Sequence, residues 1–432
     1  MGEWRRTKIG DLCQIIKGET GLASAPPGQY PLVATGADRK TCATWQFDTD
    51  AVCIPLVSST GHGKKTLNYV HYQSGKFALG TILAAVIPKD PSVLTARFLH
   101  LYLSHFKDTV LVPLMKGAAN VSLPMKEIAS IEIPVPPLNE QQSLIDLISR
   151  IEDEHRELLT ETNRQGVLLK LLRQAVLQEA VEGKLTAEWR KQHPVVKGDS
   201  RYDASALRSQ ILELKRQALS GNEKLLQPIE NRKLDLNCHS EWVVISLGDA
   251  TNFIDYRGKT PNKIDSGVRL ITAKNVKMGY LSLDPEEFIS EEEYVERMTR
   301  GFPTINDLFF TTEAPLGNVC LNTIKEKISV GQRIITIQPY IIKPEFLAYQ
   351  MMSSYFQKEI DKRKSGVTAL GIKSSKLVQV PIVLPPLAEQ QAIVARVDSL
   401  MAVIDELEKQ VAERKEQAQL LMQTVLREAF AG

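Results

Sequence analysis

The sequence has few features of an enzyme, a secreted protein or a membrane protein. Its 432 residues include five cysteines, an odd number with no Cys-x-x-Cys spacing, which is a poor basis for a disulfide framework and predicts a reducing compartment such as the cytoplasm. No apolar run approaches the roughly 18 residues of a membrane-spanning helix, and no secretory leader is recognisable. The net charge of +2 argues neither for nor against nucleic acid on its own, although a near-neutral total weakens any claim of non-specific binding to polyanions.

Motifs that bind nucleotides or metals are also missing. There is no G-x-x-x-x-G-K-[S/T] phosphate loop, no G-x-G-x-x-G after a strand, and no N/D-P-P-Y/F motif of an amino-methyltransferase. Residues 61–65, Gly-His-Gly-Lys-Lys, lack the spacing and hydroxyl of a phosphate loop, so they indicate a DNA-facing turn or a solvated hairpin tip. Cys238 and His239 alone cannot supply four zinc ligands. We therefore expect no catalytic residue, metal or cofactor in this chain.

The sequence does contain an internal duplication. Residues 133–183 and 382–432 align without a gap at an offset of 249, with 17 identities in 51 positions. Trp4 to Asp11 also recurs, as Trp242 to Asp249, at an offset of 238. Because a repeat of this length indicates a repeated structural unit, each copy is interpreted as a globular unit followed by a long helix.

Each long helix is predicted from apolar residues at alternating steps of four and three, the heptad spacing of a coiled coil. A helix of about 45 residues is roughly 65 Å long and needs a partner helix, for which the other copy is the obvious candidate. Polar residues such as His155 and Thr162 interrupt this apolar row. They indicate either that the row opens toward solvent at these positions or that they set the register of the helix pair. The predicted seam consists of Leu144, Ile148, Ile151, Leu158, Leu169, Leu172 and Val176 in the first copy, and Ile393, Val397, Leu400, Ile404, Leu407, Val411, Leu421 and Val425 in the second.

The fold class predicted from these patterns is α+β. Two mixed α/β globular domains, residues 1–135 and 241–384, are joined by two long helices, residues 136–183 and 385–432, which pack as an antiparallel coiled coil with pseudo-two-fold duplication. Residues 184–240 are predicted to be a linker with one short amphipathic helix. Strands are predicted at residues 30–36, 51–57, 80–87, 268–272, 307–312, 319–322 and 333–338, and a helix at 95–111.

The duplicated frame suggests a function. The two globular units have similar sequences at their beginnings and ends but different sequences between them. This pattern suits a protein that recognises two different features at a fixed separation. Double-stranded DNA is such a target, because half-sites about one turn, roughly 34 Å, apart lie on one face of the duplex. A coiled-coil scaffold with two protein-binding heads and no nucleic-acid recognition is the alternative. An enzyme with an unrecognised active site is a third interpretation.

Three motifs resemble those of a known family. Each globular unit ends in Ile-Pro-x-Pro-Pro-Leu-x-Glu-Gln-Gln, with Val383 replacing the first proline in the second copy. Each opens with Trp-x-x-x-x-[Ile/Leu]-Gly-Asp, and each helix ends in Leu-Leu-x-Gln-x-Val-Leu-x-Glu-Ala. Residues 307–317 and 365–370 support the same likeness. The chain resembles the specificity subunits of type I restriction–modification enzymes over nearly its whole length, least in residues 190–240.

This resemblance implies a role and a set of partners. Each globular unit would be a target-recognition domain that reads one part of a bipartite double-stranded DNA sequence, and the helices would be an antiparallel spacer. Two methyltransferase (modification) subunits would dock on this frame, and restriction/translocase subunits would join them. S-adenosylmethionine and ATP would be bound by those partner subunits, so this chain would be a non-catalytic DNA-recognition subunit.

Candidate DNA-binding residues follow from charge and loop context. Lys and Arg suit phosphates, whereas Arg, Lys, Asn and Gln suit base edges; for any one residue, an ordinary solvated surface charge is the alternative. The candidates are Arg39, Lys40, His62, Lys64, Lys65, Lys116 and Asn120 in the first unit, and Tyr256, Arg257, Lys259, Lys274, Asn275, Lys277, Arg363, Lys364 and Lys373 in the second.

Overall fold

The computed structural model describes residues 4–60, 63–219, 236–256, 260–366 and 370–430. They form two units, Met1–Arg164 with Val411–Gly432 (unit 1) and Gln165–Gln410 (unit 2). The candidate residues His62, Arg257 and Lys259 lie outside the described residues. Within the described residues, every helix is too short or too polar to cross a lipid bilayer.

The globular part of unit 1 is a mixed α/β structure. A short two-stranded ribbon pairs the beginning and the end of this part, and two four-stranded sheets lie between them in the chain. Its elements are β1 (Arg5–Lys8), α1 (Ile9–Leu12), β2 (Cys13–Lys17), β3 (Tyr30–Val33), β4 (Lys40–Cys42), β5 (Phe47–Asp48), β6 (Ala51–Pro55), β7 (His71–Gln73), β8 (Lys76–Leu79), β9 (Leu83–Pro88), α2 (Ala96–Val110), α3 (Met125–Ser130) and β10 (Glu132–Val135).

The chain continues into the long helix α4 (Leu138–Glu182), a 3-10 turn (Lys184–Thr186) and two shorter helices, α5 (Ala187–Gln192) and α6 (Ala204–Ala218). The rest of unit 2 and the second long helix comprise β11 (Val243–Ser246), α7 (Leu247–Ala250), β12 (Thr251–Asp255), β13 (Val268–Ile271), β14 (Phe288–Ile289), α8 (Glu291–Arg297), β15 (Leu308–Thr311), β16 (Val319–Leu321), β17 (Ile328–Val330), β18 (Ile334–Pro339), α9 (Pro344–Met352), α10 (Ser354–Asp361), α11 (Ser374–Leu377), β19 (Pro381–Leu384) and α12 (Leu387–Ala429).

The predicted strands and helices are confirmed, and the two globular parts share one topology except for β5, which has no counterpart among the described strands of unit 2. In unit 1 the sheet orders are β1-β10, β2-β9-β6-β7 and β4-β3-β8-β5; in unit 2 they are β11-β19, β12-β18-β15-β16 and β14-β13-β17. The parallel pairing of β3 with β8 in unit 1 is matched by that of β13 with β17 in unit 2. The middles that look unrelated in sequence therefore have the same strand order. The central strands β6, β9, β15 and β18 are buried along most of their length, so the strand order needs apolar residues there rather than particular side chains.

The glycine of the repeated Gly-Asp motif has a packing role in both units. A Cβ on Gly10 would lie 3.0 Å from the Ala129 Cβ, and a Cβ on Gly248 would lie 2.6 Å from the Val378 Cβ. Ala129 and Val378 are themselves equivalent at the 249 offset. The short helix after the first strand thus approaches the segment before the last strand so closely that a side chain would clash at Gly248 and would be tightly packed at Gly10.

In the described part of the segment between the copies, α6 lies where the sequence predicts a short amphipathic helix. In α6, Ala204, Leu207 and Ile211 are buried, and the helix packs on β11 and α7. The Lys215 ammonium donates to the carbonyl of Thr251 at 2.9 Å. Because Leu207 and Ile211 are four residues apart, they lie on one face of α6, and that face is part of unit 2.

Candidate nucleic-acid interface

The Pro-Pro-Leu-x-Glu-Gln motif links each globular part to its long helix. In unit 1 the Trp4 indole donates to the Glu140 carboxylate at 2.9 Å; in unit 2 the equivalent Trp242 donates to Glu389 at 2.8 Å. These tryptophans precede β1 and β11, so the bond fixes the first strand of each globular part to the first turn of the following helix. Sequence reasoning missed this role, although the identity of both residues in both copies was the available signal.

The first of the two glutamines makes a second link. The Gln141 side chain accepts from the backbone N–H of Thr95 at 3.0 Å and donates to the carbonyls of Val93 and Pro136. Its equivalent Gln390 accepts from the N–H of Lys343 and donates to the carbonyl of Pro385, both at 2.9 Å. Both amides are completely buried, so each positions α2 or α9 through a loop that would otherwise have unpaired polar groups.

Glu389 has additional partners in unit 2. Its carboxylate, 2% exposed, accepts from the Thr186 hydroxyl at 2.7 Å and forms an ion pair with Arg190. Arg190 also donates to the carbonyl of Gly183 at 2.6 Å. Gly183 ends α4 at a φ of +76°, where a Cβ would lie 2.9 Å from the Trp242 ring. The turn after α4 is therefore locked onto the start of α12 by a buried charge pair.

The two long helices pack against each other in antiparallel fashion in each unit. In unit 2, the Arg173 guanidinium contacts Asp405 at 2.5 Å and Glu408 at 3.1 Å. In unit 1, the Lys415 ammonium donates to the Asn163 side chain at 3.1 Å. Residue numbers rise along α4 as they fall along α12, in the register that antiparallel pairing requires. This confirms the predicted antiparallel helix pair.

Only part of the predicted heptad seam faces inward. Leu158, Leu172, Leu407 and Leu421 are 39–63% exposed, which contradicts their assignment to the seam. The other seam residues are buried or half-buried: Leu144, Ile148, Ile151, Leu169, Val176, Ile393, Val397, Leu400, Ile404, Val411 and Val425. Thr162, one of the polar interruptions, is also buried, and its hydroxyl donates to the carbonyls of Leu158 and Leu159.

The correction has a physical cause. The residue after each exposed leucine is half-buried instead: Leu159, Arg173, Glu408 and Met422. Since Arg173 and Glu408 reach each other across the pair, the second row of inward residues lies one position later than the apolar pattern predicts. Long charged side chains can cover apolar surface with their stems, so a pattern that counts only apolar residues chooses Leu172 and Leu407 over Arg173 and Glu408. In unit 1 both neighbours are apolar, and the heptad spacing chooses Leu158 and Leu421 over Leu159 and Met422.

The structure brings four unit 1 candidates together in two adjoining segments. The loop after β6, which the structure describes at residues 56–60 and 63–66, contains Lys64 and Lys65, and the hairpin of residues 116–122 contains Lys116 and Asn120. Backbone bridging of Val57 to Ser122 joins the two segments. We call them the unit 1 loop–hairpin pair. Lys64, Lys65 and Asn120 are exposed, and Lys116 forms an exposed ion pair with Glu127 at 2.8 Å.

Unit 2 has the equivalent arrangement. The loop after β15, residues 312–318, is bridged through Glu313 to Gly371, which also pairs with Ser365; the described residues of this second segment are 365, 366, 370 and 371, and Gly371 is equivalent to Ser122. Near this unit 2 loop–hairpin pair, Lys373 is exposed and Lys364 is paired with Asp361 at 2.9 Å. Arg363 is drawn inward by Glu359 at 2.5 Å.

The other unit 2 candidates are dispersed. Lys274 is exposed beside a cavity of about 220 Å³ that Lys263 and Arg333 also line. Lys277 is half-buried. Tyr256 is buried and its hydroxyl donates to the carbonyl of Gly301.

Asn275 is 1% exposed, accepting from Thr272 and donating to the carbonyls of Ser282 and Pro285. Tyr256 and Asn275 are therefore structural, which corrects their prediction as DNA contacts.

Arg39 is also engaged within unit 1, whereas its neighbour Lys40 is exposed on β4. The Arg39 guanidinium donates to the Gln73 side chain at 3.0 Å and to the Tyr72 carbonyl at 3.2 Å, and it lies 3.2 Å from His71 Nδ1. It therefore holds the loop before β4 against β7 rather than projecting into solvent. Burial, reinforced by the charge of Arg39, lowers the pKa of His71 to about 4.

This histidine gives unit 1 a pH-dependent stability. His71 is neutral in the folded state, but in the unfolded chain it would titrate near its ordinary pKa of about 6.5. Unfolding therefore takes up a proton between about pH 4 and 6.5, and stability falls as the pH falls through that window. We expect the urea midpoint to drop more between pH 7 and pH 5 in the wild type than in His71→Gln. Equal drops would contradict this assignment.

Among the residues that the structure describes, no cluster of three or more His, Cys, Asp or Glu side chains could hold a metal ion.

Comparisons with known proteins agree on one family. The family model described as "Type I restriction modification DNA specificity domain" matches residues 1–165 and again residues 239–416. The type I restriction enzyme EcoDI specificity subunit of Escherichia coli is 23% identical over 436 residues, covering 100% of this chain and 88% of that protein. The MjaVIII specificity subunit of Methanocaldococcus jannaschii is 22% identical, covering 98% and 92%.

Solved structures share the fold. The HsdS subunit from Thermoanaerobacter tengcongensis aligns with a TM-score of 0.57 at 17% identity, covering 100% of this chain and 97% of that one. A chain from a structure of the type I R-M system aligns with a TM-score of 0.63, also at 17% identity, covering 100% and 98%. The matched residues span most of the chain, so this protein belongs to the type I restriction modification DNA specificity family and contains that family's domain twice.

Proposed function

We propose that this chain is the DNA-recognition subunit of a type I restriction–modification complex, and that each globular domain reads one half of a bipartite double-stranded target. In this proposal residues 1–135 and 241–384 are the recognition domains, and the helices within residues 136–183 and 385–432 are the spacer. Residues 184–240 connect the two halves. The supporting observation is one frame built twice, with different loop–hairpin pairs mounted on the same strands. Family membership favours this function over a scaffold without nucleic-acid recognition.

The exposed leucines support docking of two copies of one partner. In unit 1, the helix register puts Leu158 of α4 level with Leu420 of α12, which is followed by Leu421. In unit 2, Leu171 and Leu172 of α4 lie level with Leu407 of α12. All six are 39–63% exposed. Exposed apolar groups of this kind mark interaction sites, and the two sets are equivalent at the 249 offset, as two methyltransferase subunits would require.

The remaining parts of the complex follow from the same proposal. S-adenosylmethionine and ATP would be bound by the methyltransferase and restriction/translocase subunits, and this chain would supply recognition without catalysis. The complex would work in the cytoplasm, where its DNA target is.

The loop–hairpin pairs are the proposed DNA contacts. The exposed lysines of the unit 1 pair, and Lys373 next to the unit 2 pair, suit phosphate oxygens, and Asn120 in the unit 1 hairpin suits base edges. Lys40, Lys274, Lys277 and Lys373 are the further exposed or half-exposed cations that this proposal retains. Because the two pairs have different sequences on equivalent strands, they are expected to read different half-sites.

Replacing Lys64 and Lys65 together by alanine tests the unit 1 contact. The wild-type chain, purified with its methyltransferase subunits, should bind a duplex containing the bipartite target found by comparing genome methylation with and without this gene. The double variant should bind more weakly. The slope of its log affinity plotted against log salt concentration should be shallower by about 1.8, since each lost phosphate contact removes about 0.9 from that slope. Fluorescence anisotropy from 50 to 300 mM salt would measure this.

Glu157→Gln, an exposed position on α4, is a control that should leave binding unchanged. Equal affinity and an unaltered salt slope in the lysine variant would remove this loop from the interface. If no duplex were bound in a sequence-dependent way by the wild-type complex, the proposed function itself would fail.

A further inference from the structure

The start of each long helix carries the same motif, but the two copies are covered differently. In unit 2, residues 184–203 lie over the start of α12. Their Thr186 and Arg190 side chains bind the Glu389 carboxylate. The carbonyls of Ser200 and Arg201 accept from the backbone N–H groups of Leu387 and Ala388 at 3.3 and 3.0 Å. The segment thus satisfies first-turn donors that a helix cannot satisfy internally.

In unit 1 the equivalent surface is open. Glu140 is exposed, whereas its equivalent Glu389 is 2% exposed. Among the described residues, Trp4 is the one donor to the Glu140 carboxylate, and none accepts from the N–H groups of Leu138 or Asn139. Pro137 and Leu138 are exposed too, although Pro386 is buried and Leu387 half-buried. One motif is therefore enclosed at one site and solvated at the other.

We propose that the surface formed by Trp4, Pro137, Leu138 and Glu140, here called the α4 entry site, binds a segment of a partner polypeptide. The chemistry of that segment is defined by unit 2. It should present a hydroxyl and a guanidinium one helical turn apart, like Thr186 and Arg190, to the Glu140 carboxylate. Backbone carbonyls further along should accept from the first turn of α4.

A partner of different sequence fits better than a second copy of this chain. In any copy, Arg190 and Thr186 are already enclosed against Glu389, with side-chain exposures of 15% for Arg190 and 2% for Glu389. A second copy would have to break this buried ion pair before offering the segment. Separating one partner of a buried pair leaves an uncompensated charge, so exchange between copies is strongly disfavoured. This proposal does not depend on DNA recognition.

A synthetic peptide of residues 184–203 is a direct probe of the site. The peptide is labelled with a fluorophore and the full chain is titrated into it. The fluorescence anisotropy of the peptide should rise to a plateau. Glu140→Gln should weaken binding at least about tenfold, because it removes the charge from the acceptor of the guanidinium. A peptide with alanine at the position of Arg190 should bind the wild-type chain with an affinity lowered by a similar factor. The chain with Glu157→Gln should bind the unaltered peptide like the wild type.

Two results would overturn the proposal. The first is absence of saturable binding, or binding that Glu140→Gln leaves unchanged, because either would mean that the peptide does not use this carboxylate. The second is a concentration-dependent dimer in analytical ultracentrifugation that Glu140→Gln abolishes, because the occupant would then be a second copy.

Discussion

Glu389→Gln is expected to lower the free energy of unfolding of unit 2 by about 3–5 kcal/mol, the cost of removing one member of a buried ion pair. The substitution keeps the shape of the side chain but leaves the Arg190 guanidinium, with 15% of its side chain exposed, without an opposite charge. It also weakens the acceptor for Thr186 and for the Trp242 indole. Urea denaturation monitored by tryptophan fluorescence would measure the loss.

The duplication supplies a matched control for this experiment. Glu140→Gln changes the equivalent residue, which is exposed and accepts from Trp4 alone among the described residues, so its cost should stay below about 1 kcal/mol. Adding Arg190→Met to Glu389→Gln should restore part of the stability, since an apolar side chain does not need the missing charge. Equal losses at Glu140 and Glu389 would show that burial does not distinguish the two sites.

Phe430→Ala is expected to destabilise unit 1 by about 3–5 kcal/mol, as for other buried aromatic truncations. The Phe430 ring is 8% exposed, and its centroid lies 5.4–5.9 Å from the rings of Phe98, Tyr102 and Phe106. These three belong to α2, so the cluster fastens the C-terminal part of α12 to the globular part of unit 1. Its removal leaves a cavity in the largest buried cluster of that unit.

Leu421→Ala, on the same helix, is the comparison for Phe430→Ala. Leu421 is 63% exposed, and its truncation should cost under about 0.5 kcal/mol, as for other surface substitutions. Thermal unfolding of both variants would rank them. If Leu421→Ala proved as costly as Phe430→Ala, the original heptad assignment would be right and the exposed leucines would be enclosed.

The architecture could be predicted from the sequence because duplication and periodicity record it directly. The 249 offset identified both long helices, and the apolar rows through Ile148 and Val397 identified the faces that meet. The unit 2 part of the second inward row could not be predicted, because it depends on the charged residues Arg173 and Glu408 reaching each other across two distant segments. The half-burial of a charged residue depends on its partner in space.

The candidate interface was less predictable for a similar reason. Lys64 and Lys116, which charge and loop context predict as DNA contacts, are exposed, but the bridge from Val57 to Ser122 that brings their segments together is a long-range pairing. Asn275 and Tyr256 have side chains suited to base edges, yet both complete hydrogen-bond networks inside unit 2. Composition indicates which groups can bind a nucleic acid, whereas burial decides which are free to do so.

Pairing of the first and last strands of each globular part affects how this protein can change over time. Residues Arg5 and Val135 are partners in one ribbon, and Val243 and Leu384 in the other, so the chain enters and leaves each globular part at adjacent points. Segments whose ends meet can be exchanged as cassettes without disturbing the structure that receives them. A recombination event within the ribbons could therefore replace one recognition domain by a foreign one in a single step. The protein would then recognise a new DNA sequence, while the helices and the surfaces that bind partner subunits stay the same.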